Sequence, residues 1–330
     1  MRAAAAEFQD TEPQAVSPRD PIIRHFMPPP GLREALLAPA LKLGLRMTFK
    51  AFMRPPFPLF VQRGLLHGLS LTMPQVAGVS VRHVSIGGIP AERLAVKGLK
   101  PRRAVLYMHG GGFCTGSPRS HRTITTRLAQ MTQAEVLVPH YRRIPEHPFP
   151  AQVEDGVAAY RQLLQDGYQP EHIAIAGDSA GASLTLMVPL ALRQAGLPLP
   201  GVLVMMSPAI DLEMKSRSAQ ERRGQDPMIN TSWGKLIVEW LKVPHGHPLV
   251  NPTAEVLSGW PPIMIQVGEH EVLFDDAHHV AGLAAQAGNH VELEVYAKRW
   301  HVFQAQAGLL HGSTAALRRQ ADFMLRHWGR

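Results

Sequence analysis

The stretch that decides the fold is Ile173-Ala174-Ile175-Ala176-Gly177-Asp178-Ser179-Ala180-Gly181-Ala182-Ser183-Leu184-Thr185-Leu186-Met187. Its apolar opening, with His172 ahead of it, predicts a strand over 172–176 that is buried on both faces. From Ala182 the pattern is helical and runs toward Gln194. A serine on so sharp a strand-to-helix turn is held in a strained backbone conformation, its hydroxyl exposed at the top of the sheet. Gly177 and Gly181 have no Cβ, so strand and helix can approach closely there. The dipole of the helix that begins beside the serine favours developing negative charge. Ser179 is therefore the candidate nucleophile. The alternative is an incidental serine in a tight turn, and the flanking strand and helix argue against it.

Attack on an acyl carbonyl leaves charge on its oxygen, and fixed donors must meet that charge, each typically worth about 3–4 kcal/mol of barrier. Ala104-Val105-Leu106-Tyr107-Met108 is a short apolar run that reads as a buried strand, and it leads into His109-Gly110-Gly111-Gly112-Phe113. Glycines after a buried strand leave backbone N–H groups bare for an oxygen to approach. The expected donors are Gly111, Gly112 and Ala180, with Phe113 supporting the loop. A phosphate-binding loop is the competing reading, but neither Gly-Lys-Ser/Thr nor a Gly-x-Gly-x-x-Gly fingerprint is present.

A nucleophile of this type expects an acid and then a histidine further along the chain. With 17 histidines in the chain, position has to decide. His301 follows the last expected strand after a short loop and precedes the final helix, so it is the candidate general base. His290 precedes that strand and reads as a surface residue, and His278 and His279 fall in a helix. The acid should lie in Gly268-Glu269-His270-Glu271-Val272-Leu273-Phe274-Asp275-Asp276. Glu271, in mid-loop, is the choice. Asp275 and Glu269 compete with it, and Asp275 or Asp276 could instead cap the next helix.

The elbow sits within an alternation of strands and helices. Strands are expected at 79–86, 92–96, 104–108, 135–139, 202–206, 263–267 and 291–296, the first two joined by a Gly87-Gly88 turn. Helices are expected at about 119–131, 151–164, 276–287 and 305–326. Such alternation implies a mostly parallel sheet covered on both faces. Residues 1–31 read as irregular. A helix is expected from Pro39, in its first turn, to Met53, where Lys42, Arg46, Lys50 and Arg54 share one face. A basic amphipathic helix can lie on a membrane, but a lid helix with a solvated face is the preferred reading. The stretch 211–250 breaks the alternation, with a helix at about 233–241, and reads as an insertion over the carboxyl edge of the sheet. The division is therefore 1–75, an N-terminal cap segment; 76–210, core; 211–250, cap insertion; and 251–330, core.

At 330 residues with 45% hydrophobic and 18% charged side chains, the chain can bury a large core and is not a disordered one. The net charge of +8 could suggest nucleic acid, but the basic residues are dispersed and no nucleic-acid motif accompanies them. No apolar stretch is long enough for a signal peptide or an integral membrane segment. The single cysteine, Cys114, excludes an internal disulfide. A cytoplasmic location and a homodimer are the expectations.

Three motifs together resemble a known family. His109-Gly110-Gly111-Gly112-Phe113, then Tyr141-Arg142-Arg143-Ile144-Pro145-Glu146-His147-Pro148-Phe149-Pro150, then Gly177-Asp178-Ser179-Ala180-Gly181 look like those of the bacterial hormone-sensitive-lipase-like (family IV) esterases. The likeness spans roughly Val79 to His327. It implies an α/β-hydrolase fold with a helical cap and carboxylesterase activity on short or medium acyl chains; separately, no cofactor or metal is expected. Glu271-Val272-Leu273 stands where Asp-Pro-Leu is usual. His301-Val302-Phe303 stands where His-Gly-Phe is common. The Tyr141–Pro150 motif resembles a structural element near the active site, with Glu146 as an anchor. Met27, Phe49, Phe52, Met53, Phe57, Met205, Met206 and Trp233 are candidate pocket lining.

Two other classes compete with this reading. Non-catalytic receptors of this family resemble the chain but lack the histidine base, which His301 supplies here. A metal-dependent hydrolase using His270, Asp275, His278 and His279 lacks the His-Glu-x-x-His spacing. Lactones and amides remain open as substrates of the same triad.

Overall fold

A computed structural model describes residues 20–54, 56–244, 246–250 and 252–329. Its centre is a 9-stranded sheet. In chain order the strands are β1 (Ile22–Phe26), β2 (Val79–Ile86), β3 (Ile89–Val96), β4 (Ala104–Met108), β5 (Glu135–Pro139), β6 (Ile173–Asp178), β7 (Val202–Met206), β8 (Ile263–Gly268) and β9 (Val291–Tyr296). Across the sheet they lie in the order β1-β9-β8-β7-β6-β4-β5-β3-β2. Only β3 runs against its neighbours, pairing antiparallel with both β2 and β5.

The helices are α1 (Leu32–Phe52), α2 (Leu59–Thr72), α3 (Arg122–Thr132), α4 (Ala151–Gln165), α5 (Ala180–Gln194), α6 (Arg217–Glu221), α7 (Thr231–Leu241), α8 (Phe274–Gln286) and α9 (His311–His327). Alternation along each strand decides which layer a side chain enters. Leu106 and Met108 of β4 belong to the buried cluster that includes α4 and α5, whereas Val105 and Tyr107 belong to the one on the other face with α3 and α9. Both faces of β4 are thus dry, which is why that strand is apolar throughout.

Three expectations need correction. Residues 22–26 are not irregular: β1 pairs parallel with β9, Phe26 opposite Tyr296, and the two rings stack with centroids 5.1 Å apart. The helix expected to begin at Pro39 begins at Leu32, so Pro39 lies inside α1 rather than in its first turn. Proline there removes a backbone donor, but Ala35 and Pro39 are both exposed, so water is available to the unpaired carbonyl. The closing helix starts at His311, after a short 3₁₀ turn over Phe303–Gln306. Helix α2 and strand β1 were not anticipated.

The basic side of α1 is not a solvated face. Lys42 Nζ lies 2.8 Å from His270 Nδ1, Arg46 donates to the Gly224 carbonyl at 2.8 Å, and Lys50 donates to the Ile229 carbonyl. This side therefore bolts α1 to the 211–250 insertion and the acid loop. Burial lowers the pKa of both Lys42 and Lys50 despite the nearby Asp226 charge.

Candidate active site

Ser179 sits between β6 and α5 at φ 52° and ψ −124°. A non-glycine residue held there stores on the order of 1–3 kcal/mol of strain. The surroundings enforce it. The Ser179 N–H donates to the Met206 carbonyl at 2.8 Å. A Cβ on Gly181 would lie 2.0 Å from the Met108 carbonyl oxygen, and one on Gly177 would lie 2.4 Å from that of Gly181. Neither position can accept even alanine without moving backbone.

His301 Nδ1 is 3.1 Å from Glu271 Oε2. Glu271 is fully buried. Its other oxygen accepts from the Gly268 N–H and, at 2.9 Å, from the Ser207 hydroxyl. Burial raises the pKa of this carboxyl, and the hydrogen bond and charge of His301 and the Gly268 N–H oppose the shift without cancelling it. Burial likewise works against the His301 imidazolium, but the hydrogen bond and charge of Glu271 outweigh it, with Asp226 and Asp178 adding, so its pKa is raised above 6.5. The bond at Nδ1 fixes that nitrogen as the donor and leaves Nε2 free to accept a proton.

The competing carboxylates are occupied elsewhere. Asp275 accepts from the Ser218 N–H at 2.7 Å, and Asp276 accepts from Ile210 and Asp211 N–H at 2.7 and 2.8 Å. They bind the 210–218 segment instead of capping α8, whose N-cap, Leu273, has no side-chain cap. Burial pushes the Asp276 carboxyl up to about 7. Glu269 Oε2 accepts from the Lys298 N–H at 3.0 Å.

Gly111 and Gly112 have φ values of 118° and 58°, and their N–H groups have no hydrogen-bond partner among the described residues. The Gly110 N–H beside them is committed to Asp178 Oδ1 at 3.1 Å. Asp178 also accepts from the Tyr107 hydroxyl at 2.6 Å and lies 3.2 Å from His121 Nε2. Burial opposes the Asp178 charge, but His121 and Tyr107 hold its pKa below the usual carboxylate value. One buried carboxylate thus braces the glycine loop from beneath. Arg63 of α2 braces it from above, donating to the Cys114 carbonyl at 2.9 Å and clamping Glu146 with two bonds of 2.6 and 2.9 Å. Glu146 is an anchor, its carboxyl held down at about 2 first by the Arg63 hydrogen bonds.

Ser179, His301, Gly111, Gly112 and Ala180 all line one cavity of about 250 Å³. Helices α1, α2 and α7 wall it with Leu45, Phe49, Leu66, Trp233 and Ile237 among others. The Trp233 indole donates to the Met53 carbonyl, joining α7 to the end of α1. Of the candidate lining residues, Phe49, Met53 and Trp233 reach the cavity. Met205 and Met206 are wholly buried in β7, and Met27, Phe52 and Phe57 are exposed.

Ser207, Arg63 and Asp226 carry weight that no motif announced. Ser207, at φ 49°, bridges Glu271 and the Val302 N–H, at 2.9 and 3.3 Å. Asp226 is wholly buried and accepts from the Val272 N–H at 3.1 Å, beside the acid. Val302 has φ 49° and ψ 43°, a left-handed conformation that a β-branched residue disfavours and glycine accepts. His270, Asp275, His278 and His279 do not converge on a shared point. Among the described residues, the group that could hold an ion is His290, Glu292 and His327, outside the cavity. Glu292 there is already held by Arg24 and Arg326.

A mostly parallel sheet with a strained serine at the carboxyl end of a central strand defines the α/β-hydrolase class. The comparisons agree. A family model described as the α/β-hydrolase fold matches residues 105–305. An acetyl-hydrolase of Streptomyces hygroscopicus is 43% identical over 203 residues, 61% of this chain and 68% of its own. An esterase of Acinetobacter venetianus is 33% identical over 245 residues, 73% of this chain and 80% of its own. A solved esterase from the bacterial hormone-sensitive lipase family matches with TM-score 0.82 at 35% identity, over 88% of this chain and 98% of that one. EstE5, from a crystal soaked with p-nitrophenyl butyrate, matches with TM-score 0.81 at 35% identity, over 91% of this chain and 100% of that one. The chain belongs to the α/β-hydrolase family, among its hormone-sensitive-lipase-like esterases, and is a carboxylic ester hydrolase. Among the described residues no helix is long and apolar enough to cross a membrane.

Proposed function

We propose that Ser179, His301 and Glu271 hydrolyse short- to medium-chain acyl esters through an acyl-serine intermediate. The observation that carries this reading is the buried His301–Glu271 bond of 3.1 Å, with the imidazole and the Ser179 residue lining one cavity. The Ser179 hydroxyl attacks the ester carbonyl while His301 Nε2 takes its proton. The oxyanion is met by the N–H groups of Gly111, Gly112 and Ala180. As the carbon–oxygen bond to the alcohol breaks, His301 returns the proton to the leaving oxygen. Water, activated by the same nitrogen, then releases the acid.

We assign acyl selection to a cap built from α1, α2 and the 211–250 insertion; residues 22–26 belong to the sheet instead, and residues 1–19 lie outside the described residues. A cavity of about 250 Å³ with mostly apolar walls suits a few methylenes better than a long chain. In a series of p-nitrophenyl esters, kcat/KM is expected to peak between acetyl and octanoyl and to fall at least about tenfold by palmitoyl. A profile that keeps rising to palmitoyl would overturn the acyl-length assignment. We also assign the chain to the cytoplasm and to a homodimer, on its lone buried thiol and on the prevalence of two-fold assemblies. Fractionation and light scattering test these two points.

The base must be neutral to act. Because the His301 pKa is raised, kcat/KM is expected to fall in acid with a midpoint above 6.5. The fold prefers the imidazolium, so its stabilising contribution is complete below the unfolded value and is lost as pH rises through the raised one. A pH–rate profile with its acid midpoint below 6.5 would contradict the role given to the Glu271 charge.

A further inference from the structure

The outer face of α1 is apolar where a surface helix is ordinarily polar. Leu32, Leu36, Leu43 and Met47 recur on one helical face and are 60% to 75% exposed. The stripe runs for about 22 Å at 1.5 Å per residue. It lies opposite Leu45 and Phe49, which line the cavity, and beside the basic side that is bolted to the insertion. The helix is amphipathic in an inverted sense, with its lysines packed against protein and its leucines facing out. Helix α2 continues the pattern with exposed Phe60 and Leu71. Among the described residues, nine of the fourteen exposed large apolar side chains fall between Leu32 and Leu71. Patches of this kind mark interaction surfaces.

Charge narrows the occupant. Residues 32–72 contain six basic side chains and one acid, Glu34. Glu34 is buried against Arg299 at 2.6 Å and offers no negative charge to the outside. Arg33 and Arg54 are exposed, lie toward the two ends of the stripe, and have no carboxylate partner among the described residues. An apolar ridge edged by cations fits the interface of an anionic bilayer, with side chains in the acyl boundary and guanidinium groups at the phosphates. We propose that α1 and α2 dock the protein on anionic lipid surfaces, bringing the helices that wall the cavity into contact with the apolar phase where lipophilic esters collect. This proposal concerns the outside of these helices and stands apart from the acyl-serine chemistry.

The test is co-sedimentation of the full chain with vesicles of phosphatidylcholine alone or mixed with phosphatidylglycerol, at low and high salt. Binding to the anionic vesicles is expected, weakened by salt and absent with phosphatidylcholine alone. Arg33→Glu with Arg54→Glu should reduce the bound fraction about tenfold or more. Leu36→Ser with Leu43→Ser and Met47→Ser should abolish it while kcat/KM on a soluble p-nitrophenyl ester stays unchanged. If the triple variant does not fold, Leu36→Ser alone and the lipid and salt contrast of the wild type give the decision. Wild type that remains in the supernatant with both lipids overturns the proposal, as does binding indifferent to lipid charge. A wild-type dimer that Leu36→Ser, Leu43→Ser and Met47→Ser dissociate would assign the stripe to a second copy and would equally overturn it.

Discussion

Ser179→Ala is expected to lower kcat by on the order of 10⁴-fold or more while leaving the melting temperature close to that of wild type. The substitution removes one oxygen at a half-buried position and no packing atom. The backbone features that strain residue 179 remain: its N–H still meets the Met206 carbonyl, and α5 still begins at Ala180. Only the bond-forming atom is lost. The residual rate is expected to be that of an oxyanion pocket acting on water, because Gly111 and Gly112 keep their free N–H groups. Steady-state kinetics with p-nitrophenyl butyrate, alongside circular dichroism, checks both halves. Turnover within about tenfold of wild type would remove the acyl-serine reading.

The second large effect separates the carboxylates. Glu271→Gln is expected to lower kcat by about 10³- to 10⁴-fold. The amide can still accept from the Ser207 hydroxyl and the Gly268 N–H, so the loop is retained. Toward His301 Nδ1, however, it offers an N–H in place of an oxygen. The imidazole then carries its proton on Nε2 and cannot take the one from Ser179. Asp275→Asn is expected to keep kcat within about tenfold, because Asp275 binds the Ser218 N–H and has no bond to His301. A larger loss from Asp275→Asn than from Glu271→Gln would move the acid.

Much of this architecture is written locally. Strands β4 and β7 are short apolar runs buried on both faces, and each begins just after a change of residue character, at Arg103 and Gly201. The elbow and the glycine loop are likewise contiguous, so their chemistry can be read along the chain. What was not legible depends on partners far away in sequence. Strand β1 is an edge strand of 5 residues whose one neighbour, β9, lies some 270 positions on. Ser207 and Glu271 are separated by 64 residues, and Asp226 and Val272 by 46. Nothing near either residue signals the bond. The basic side of α1 is hard to read locally for the same reason. Four cations on one helical face imply water unless one knows that the Gly224 and Ile229 carbonyls wait opposite.

The 211–250 segment carrying Asp226 connects α1 to the Glu271 loop. Lys42 of α1 meets His270 in the Glu271 loop and Lys50 meets the Ile229 carbonyl of the insertion, while Asp226 of that insertion accepts from the Val272 N–H beside Glu271, so α1 and the Glu271 loop are tied to one segment. That coupling gives a physical reason for a half-buried basic side on a cap helix.

The central claim is covalent, and mass spectrometry of the enzyme inhibited by diethyl p-nitrophenyl phosphate tests it most directly. The serine oxygen displaces p-nitrophenolate, and a phosphorus–oxygen bond takes its place. A single diethylphosphoryl group is predicted on the peptide that contains Ser179, with activity lost in proportion, and no adduct on Ser179→Ala. Full inhibition with an unmodified Ser179 peptide, or stoichiometric labelling elsewhere, would contradict the account.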